Sequence, residues 1–219
     1  MCDCWYKEVC ESYGENCQTL CVRYAEMKYL MEHSNLPVAK RKPQQLMVQE
    51  VDYIPYLRLD TIRKDIVNWV NDGKNLYIAS HNMGNGKTSW AIKLMLRYFD
   101  QVWSGNGFRQ RALFIHVPTF IMKCKDFNNV DPEFEELKRQ VQEVDLVVWD
   151  DIGSTGITQY DYSNLLVAID ARVMNGKANI LTGNCTTRQE LAQMIGAKLT
   201  SRLFGNETEI VELKGGDMR

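Results

Sequence analysis

The stretch that decides the fold is Leu76-Tyr77-Ile78-Ala79-Ser80-His81-Asn82-Met83-Gly84-Asn85-Gly86-Lys87-Thr88. Its first five residues form a short apolar run that predicts a buried strand, and helical spacing predicts a helix over 87–99. Between the two lies nearly the pattern G-x-x-x-x-G-K-[ST], with His81 in place of the first glycine. Gly84 and Gly86 allow backbone N–H groups to turn inward, and a helix N-terminus favours negative charge. The stretch therefore predicts a phosphate-binding loop.

The loop and the start of the helix supply the candidate nucleotide-binding residues. The Lys87 ammonium can reach terminal phosphates, and the Thr88 hydroxyl can bind Mg²⁺. A simple Gly-Asn-Gly turn at a helix start is the alternative, but the strand–loop–helix context favours a nucleotide. The full candidate set is Asn82, Met83, Gly84, Asn85, Gly86, Lys87, Thr88 and Ser89.

Apolar runs alternate with helical segments along the rest of the chain. Asp60 and Asp131 are placed as N-caps of predicted helices over 60–73 and 131–143. Buried strands separated by helices predict a parallel sheet with both faces covered and a ligand at the carboxyl ends of the strands. The strands predicted after the first are 112–117, 146–149, 179–182 and 209–213.

Polar side chains follow the third and fourth predicted strands. Asp150 can bind Mg²⁺, and Asp151 can orient and deprotonate an attacking water. Asn184 can position that water against the γ-phosphate, although a turn asparagine is an equal alternative. An apolar strand often ends in an exposed acid, but two acids in this order after a phosphate loop favour a site for ATP and magnesium.

Composition bounds the class of protein. The chain has 219 residues and a formal charge of −2, from 26 basic and 28 acidic residues, which excludes a histone-like basic protein. Hydrophobic content of 45% and charged content of 25% exclude wholesale disorder. No apolar run is long enough to span a membrane, and residues 1–4 lack the order of a secretory signal, so we expect a cytoplasmic protein without a membrane partner.

Cysteines are concentrated at the start of the chain, where five of the seven lie within the first 21 residues. Four thiolates can close a tetrahedral zinc site, whereas a cluster of unligated reduced cysteines is the alternative. Cys2 is the expected spare, because it lies at the terminus. The pattern predicts a zinc-binding module over 1–45, with a linker rich in proline and bases, before a second domain over 46–219. The predicted Zn²⁺ ligands are Cys4, Cys10, Cys17 and Cys21.

The second domain resembles the AAA+ helicase loaders of the DnaC/DnaI group, in particular their short phage and prophage forms. The resemblance rests on residues 84–88, 149–153, 182–184, 201–203 and 216–219. It implies a P-loop AAA+ fold of the ASCE class, with a parallel five-stranded sheet and no helical lid. The roles it implies are Walker A for Lys87 and Thr88, Walker B for Asp150 and Asp151, sensor 1 for Asn184, an arginine finger towards a neighbouring subunit for Arg202, and sensor 2 for Arg219.

The function implied by the resemblance is ATP-dependent loading of a DnaB-type replicative helicase onto single-stranded DNA during phage DNA replication. ATP hydrolysis would be weak until subunits assemble through shared ATP sites or DNA stimulates it, and the cysteine-rich module would grip the helicase. For a phage-encoded protein the location would be the cytoplasm of the bacterial host. Single-stranded DNA would contact Phe120, Lys123 and Lys125, although an amphipathic core helix explains the same residues.

Three other functions fit parts of the pattern. An IstB-like transposition helper ATPase would use the same fold to remodel DNA. A small P-loop kinase would need a lid, and no arginine-rich segment for one occurs between residues 100 and 145. A non-enzymatic zinc adaptor with a decayed nucleotide site would explain His81.

Overall fold

Buried apolar runs form the five strands of one parallel sheet. A computed structural model describes residues 4–7, 10–11, 13–14, 17, 21–41, 54–102, 108–125, 131–154, 159–204 and 208–214. The spatial order is β2-β3-β4-β1-β5, and every pairing is parallel. The predicted α/β fold is confirmed. The strands are β1 (Asn75–Ala79), β2 (Ala112–His116), β3 (Leu146–Ile152), β4 (Ala178–Gly183) and β5 (Thr208–Glu212).

Helices cover both faces of the sheet. Successive strand residues point to opposite faces, so that Leu76 and Ile78 join one apolar core while Tyr77 and Ala79 join the other. The first core is covered by α1 (Val22–Glu32), α2 (Ile54–Lys64), α3 (Ile66–Asn71) and α4 (Lys87–Val102). The second is covered by α5 (Val117–Cys124), α6 (Pro132–Glu143), α7 (Gln159–Met174), α8 (Arg188–Ile195) and α9 (Ala197–Leu203).

Two predicted helix starts have different outcomes. The Asp131 carboxylate accepts hydrogen bonds from the backbone N–H groups of Glu133 and Phe134, which confirms it as the N-cap of α6. Asp60 is not a cap, because the chain is already helical from Ile54. Its carboxylate pairs instead with side chains one turn later in α2, and the predicted single helix is broken at Asp65.

The region before residue 42 packs against the rest of the molecule. Arg23 in α1 forms a 2.7 Å ion pair with Asp100 in α4. The edge of β2 is covered, because the Phe114 N–H donates to the Ser34 carbonyl at 2.8 Å and the Asn35 amide donates to the Phe114 carbonyl at 2.9 Å. The predicted boundary near residue 45 lies outside the described residues, so the division into two domains stays a prediction.

The predicted zinc site is not supported. Among the described residues, no three His, Cys, Asp or Glu side chains stand close enough together to hold a metal ion. Cys4 is buried in the first core, and the other thiols serve local turns: Cys17 accepts from the Gly14 N–H at 2.8 Å and Cys21 accepts from the Tyr24 N–H at 3.4 Å. Cys10, the fourth predicted ligand, is half-buried, and Cys2 lies outside the described residues.

None of the helices that the structure describes combines the length and the apolar character required to cross a bilayer.

Candidate nucleotide site

The loop between β1 and α4 turns at its two glycines. Gly84 and Gly86 have φ angles of +76° and +90°, a region that side chains disfavour, so the predicted need for glycine is met at both positions. The Trp90 N–H donates to the Gly86 carbonyl at 2.9 Å, which starts the helix at once. The first turn of the helix, whose N–H groups have no acceptor within the helix itself, therefore follows directly on the loop, as an anion site requires.

Side chains brace this loop from within. The Lys87 ammonium donates to the Asn82 carbonyl at 2.9 Å and to the Ser80 carbonyl at 3.3 Å. Asn85 is fully buried, and its amide donates to the Ser80 hydroxyl and, at 3.1 Å, to the Leu213 carbonyl after β5. The Asn85 side chain thus fixes the loop to the sheet, while the half-buried Ser89 and the exposed Met83 and Asn82 lie along the same segment.

The Thr88 hydroxyl reaches the carboxylate at the end of β3. It donates to Asp150 Oδ1 at 2.8 Å, and the Thr182 hydroxyl in β4 donates to the same oxygen at 2.7 Å. The structure therefore brings together the two side chains predicted to hold magnesium. A threonine hydroxyl beside a carboxylate is the hard oxygen donor set that Mg²⁺ prefers, so the residues present fit the ion.

The second carboxylate leaves the regular strand geometry. Asp151 has a φ of +66°, and the pairing of β3 with β4 shifts in register between Trp149 and Ile152. Its N–H donates to the Thr182 hydroxyl at 3.0 Å instead of to a ladder carbonyl. Such a bulge re-aims side chains beside functional sites, and here it falls at the two consecutive carboxylates near the end of β3.

The remaining predicted residues have different positions. Asn184 directly follows β4, the strand between β1 and β3, and is half-buried. Arg202 lies on α9 with 47% of its side chain exposed, and its Nε is 3.0 Å from Asp170 Oδ1. Arg219 lies outside the described residues.

The predicted DNA contact of Phe120 is wrong. Only 4% of this residue is exposed, and its ring packs edge-on against Phe134 and Trp149 in the second core, so it cannot stack on a base. Lys123 forms a 3.2 Å ion pair with Asp131, while Lys125 is exposed just after α5. The amphipathic core helix, the alternative weighed above, describes this segment.

Sequence reasoning missed a contact that His81 makes. Its Nε2 lies 2.6 Å from the Thr186 hydroxyl, in the loop that follows Asn184. Glu190 closes the same loop, since the N–H groups of Thr186 and Thr187 donate to its carboxylate. Those hydrogen bonds, and more weakly the electrostatic attraction of the nearby His81, hold the pKa of Glu190 below its usual value. His81 and Thr186 are 105 residues apart in sequence, so no local sequence pattern predicts their hydrogen bond.

The role of Thr182 was also missed, although a weak signal exists. A hydroxyl residue that is almost fully buried near the end of a strand needs a hydrogen-bond partner. That signal points to a polar neighbour on an adjacent strand, but it does not say which one.

Neither a family model nor a curated protein matches the sequence. Among solved structures, the chain is similar to the DnaC helicase loader, with 19% identity, a TM-score of 0.64, and coverage of 77% of this chain and 96% of that one. It is similar to DnaI, with 17% identity, a TM-score of 0.64, and coverage of 80% and 89%. It is also similar to the replication initiator DnaA bound to AMPPCP and single-stranded DNA, with 16% identity, a TM-score of 0.58, and coverage of 78% and 49%. The chain therefore has the same α/β fold, built on a five-stranded parallel sheet, as DnaC, DnaI and DnaA.

Proposed function

We propose that the protein is an ATP-switched loader that delivers a DnaB-type replicative helicase to single-stranded DNA. The observation that carries the proposal is the 2.8 Å hydrogen bond between Thr88 and Asp150, which joins the phosphate loop to the carboxylate pair. It occurs in a fold shared with DnaC and DnaI, and DnaA of the same fold is known with an ATP analogue bound. A loop, a hydroxyl and a carboxylate in this order are the parts that bind and cleave a nucleoside triphosphate.

In the proposed reaction, each predicted residue has one task. Lys87 leaves its loop carbonyls and pairs with the terminal phosphates of ATP. Thr88 and Asp150 would hold Mg²⁺, which would supply positive charge beside the phosphates. Asp151 accepts the proton of the attacking water, and Asn184 orients that water.

Assembly completes the site in this proposal. Arg202 is exposed and can reach the ATP of a neighbouring subunit, where a guanidinium stabilises transition-state charge. Arg219 is proposed as the second arginine at the site. Turnover is slow for the isolated subunit and rises when neighbours or DNA bring the arginine into place. ATP between subunits would organise an arc or spiral, and hydrolysis would release the helicase.

We also propose residues 1–45 as the part that contacts the helicase. This region presents exposed apolar side chains, with 53% of Val22 and 76% of Val38 accessible, although much of it packs against the ATPase core. Lys123 and Lys125 remain candidates for contacts with DNA phosphates, without base stacking by Phe120.

The decisive experiment mixes the protein with a DnaB-type helicase, with and without ATP, and follows complex formation by size-exclusion chromatography. We expect a complex whose amount changes with ATP for the unmodified chain, and no response to ATP for Lys87→Ala, because that change removes the phosphate contact. Lys64→Ala, which removes a lysine whose side chain is 71% exposed on α2, is the matched control and should respond to ATP as the unmodified chain does.

Other outcomes would favour the alternatives. ATP turnover stimulated by DNA, without binding to any helicase, would favour the IstB-like helper. Transfer of phosphate to a small molecule would favour a kinase. Failure of the unmodified chain to bind ATP would overturn the nucleotide site itself.

A further inference from the structure

We propose that Thr182 is a positioning residue that holds both carboxylates of the site in place for hydrolysis. The inference rests on the proposed ATPase function and adds a residue to it. The Thr182 hydroxyl forms hydrogen bonds with Asp150 and Asp151, and the residue acts through them.

The Thr182 hydroxyl donates one hydrogen bond and accepts another at the same time. Its proton goes to Asp150 Oδ1 at 2.7 Å, and its oxygen accepts the Asp151 N–H at 3.0 Å. A hydroxyl has one proton, so donating it to the carboxylate leaves the lone pairs for the N–H. The side chain is 1% exposed, so water does not compete for either bond.

The bulge in β3 explains why a side chain is needed at this point. Between Trp149 and Ile152 the strand loses its register with β4, so Asp151 has no ladder carbonyl opposite its N–H. A partly buried N–H without a partner is costly, and the residue is already in the left-handed region, at φ +66°. The Thr182 oxygen supplies the missing acceptor and so stabilises the conformation that presents the Asp151 carboxylate.

The residue after Thr182 leaves no room for a side chain beside the bulge. A Cβ on Gly183 would lie 2.5 Å from the Tyr77 hydroxyl and 2.8 Å from the Ile152 carbonyl. β4 is therefore tightly packed between Tyr77 and the bulge of β3. We expect loss of the Thr182 hydroxyl to act on Asp150 and Asp151, which lose its two hydrogen bonds.

The test compares Thr182→Val, which keeps the shape and removes the hydroxyl, with Thr182→Ser, which keeps the hydroxyl. Binding of a fluorescent ATP analogue is measured in Mg²⁺ and in EDTA, together with kcat, KM and the thermal midpoint. We expect Thr182→Val to lower kcat, or the factor by which Mg²⁺ raises affinity for the ATP analogue, by about 10–100-fold. Other residues that orient metal ligands have effects of this size. Affinity in EDTA should stay unchanged, and Thr182→Ser should restore most of the loss.

A matched control separates positioning from stability. Thr200→Val also removes the hydroxyl of a threonine that is 1% exposed, one that donates to the Gly196 carbonyl at 2.9 Å. It should lower the thermal midpoint to a similar extent and leave the response to Mg²⁺ intact. If the unmodified chain binds ATP and Thr182→Val shows the same Mg²⁺ response and kcat, this inference is overturned while the proposed function stands. If the unmodified chain does not bind ATP, the proposed function itself fails.

Discussion

His81 occupies the position where a phosphate-binding loop normally begins with glycine. Its imidazole is exposed and anchored 2.6 Å from the Thr186 hydroxyl, two residues beyond Asn184. The departure from the pattern is therefore compatible with a folded loop, since Gly84 and Gly86 provide the tight turns. The histidine connects the phosphate loop with the segment that would orient the attacking water.

This contact predicts that His81→Gly separates binding from turnover. We expect ATP affinity close to that of the unmodified chain and a lower kcat, because the segment carrying Asn184 loses its tether. Thr186→Val removes the same hydrogen bond from the other side and should give the same change. In a double-mutant cycle the two losses should not add. A loss of ATP affinity in His81→Gly alone would show that the side chain serves the loop directly.

At the scale of the element, α7 is held to the sheet by one buried guanidinium. Arg172 is fully buried and donates to Asn179 Oδ1 at 2.9 Å, as well as to the carbonyls of Val141, Val144 and Ala178. Burial lowers the pKa of Arg172 to about 9. The oxygens around it favour the charged form, so the group acts as a cationic clamp between α6, α7 and β4.

Removing this clamp should be costly. We expect Arg172→Met to lower the free energy of unfolding by about 3 kcal/mol or more, because several buried oxygens lose their donor. Arg139→Met is the matched control, since Arg139 makes charged contacts with Glu136 and Glu143 on the exposed face of α6. Its loss should change the free energy of unfolding far less, because water and salt screen exposed ion pairs. Both values come from urea denaturation, and equal losses would refute the role of burial.

Features that depend on neighbouring residues in sequence could be predicted, whereas those that depend on distant contacts could not. The strands, the glycine loop and the Asp131 cap depend on neighbours a few residues away, so composition and spacing were sufficient. Asp60 is not a cap because α2 already begins at Ile54, and the role of Phe120 depends on its packing in the second core. The contacts of Thr182 and His81 join segments distant in sequence, and only the assembled sheet defines them.

At the scale of the whole molecule, the region before residue 42 is part of the core. Tyr6 and Leu30 are buried in the same apolar cluster as Leu59 and Trp90. Arg23 adds a cation–π contact, with its guanidinium 3.7 Å from the centre of the Tyr6 ring. Because the cysteines that the structure describes do not converge, apolar packing and this aromatic contact hold the described part of the region in place. If the proposed helicase binds this region, it contacts a part of the chain that packs on the same face of the sheet as α4.

If several copies assemble through shared ATP sites, Arg202 acts on the ATP of a neighbouring subunit. Its guanidinium is 47% exposed and pairs with Asp170 on the same chain, so it does not depend on its own phosphate loop. If it serves a neighbour, Arg202→Ala should bind ATP normally and lose turnover stimulated by DNA. Lys87→Ala should bind no ATP but keep its arginine. Mixing the two inactive variants then creates sites that combine an intact loop with an intact arginine. We expect turnover to return on mixing and to rise with total protein concentration.

Arg188→Ala, a change at an exposed arginine of α8, should behave as the unmodified chain in every assay. Full turnover by Arg202→Ala alone at high concentration, or no recovery on mixing, would contradict a shared site, because a residue acting within its own chain cannot be supplied by a partner.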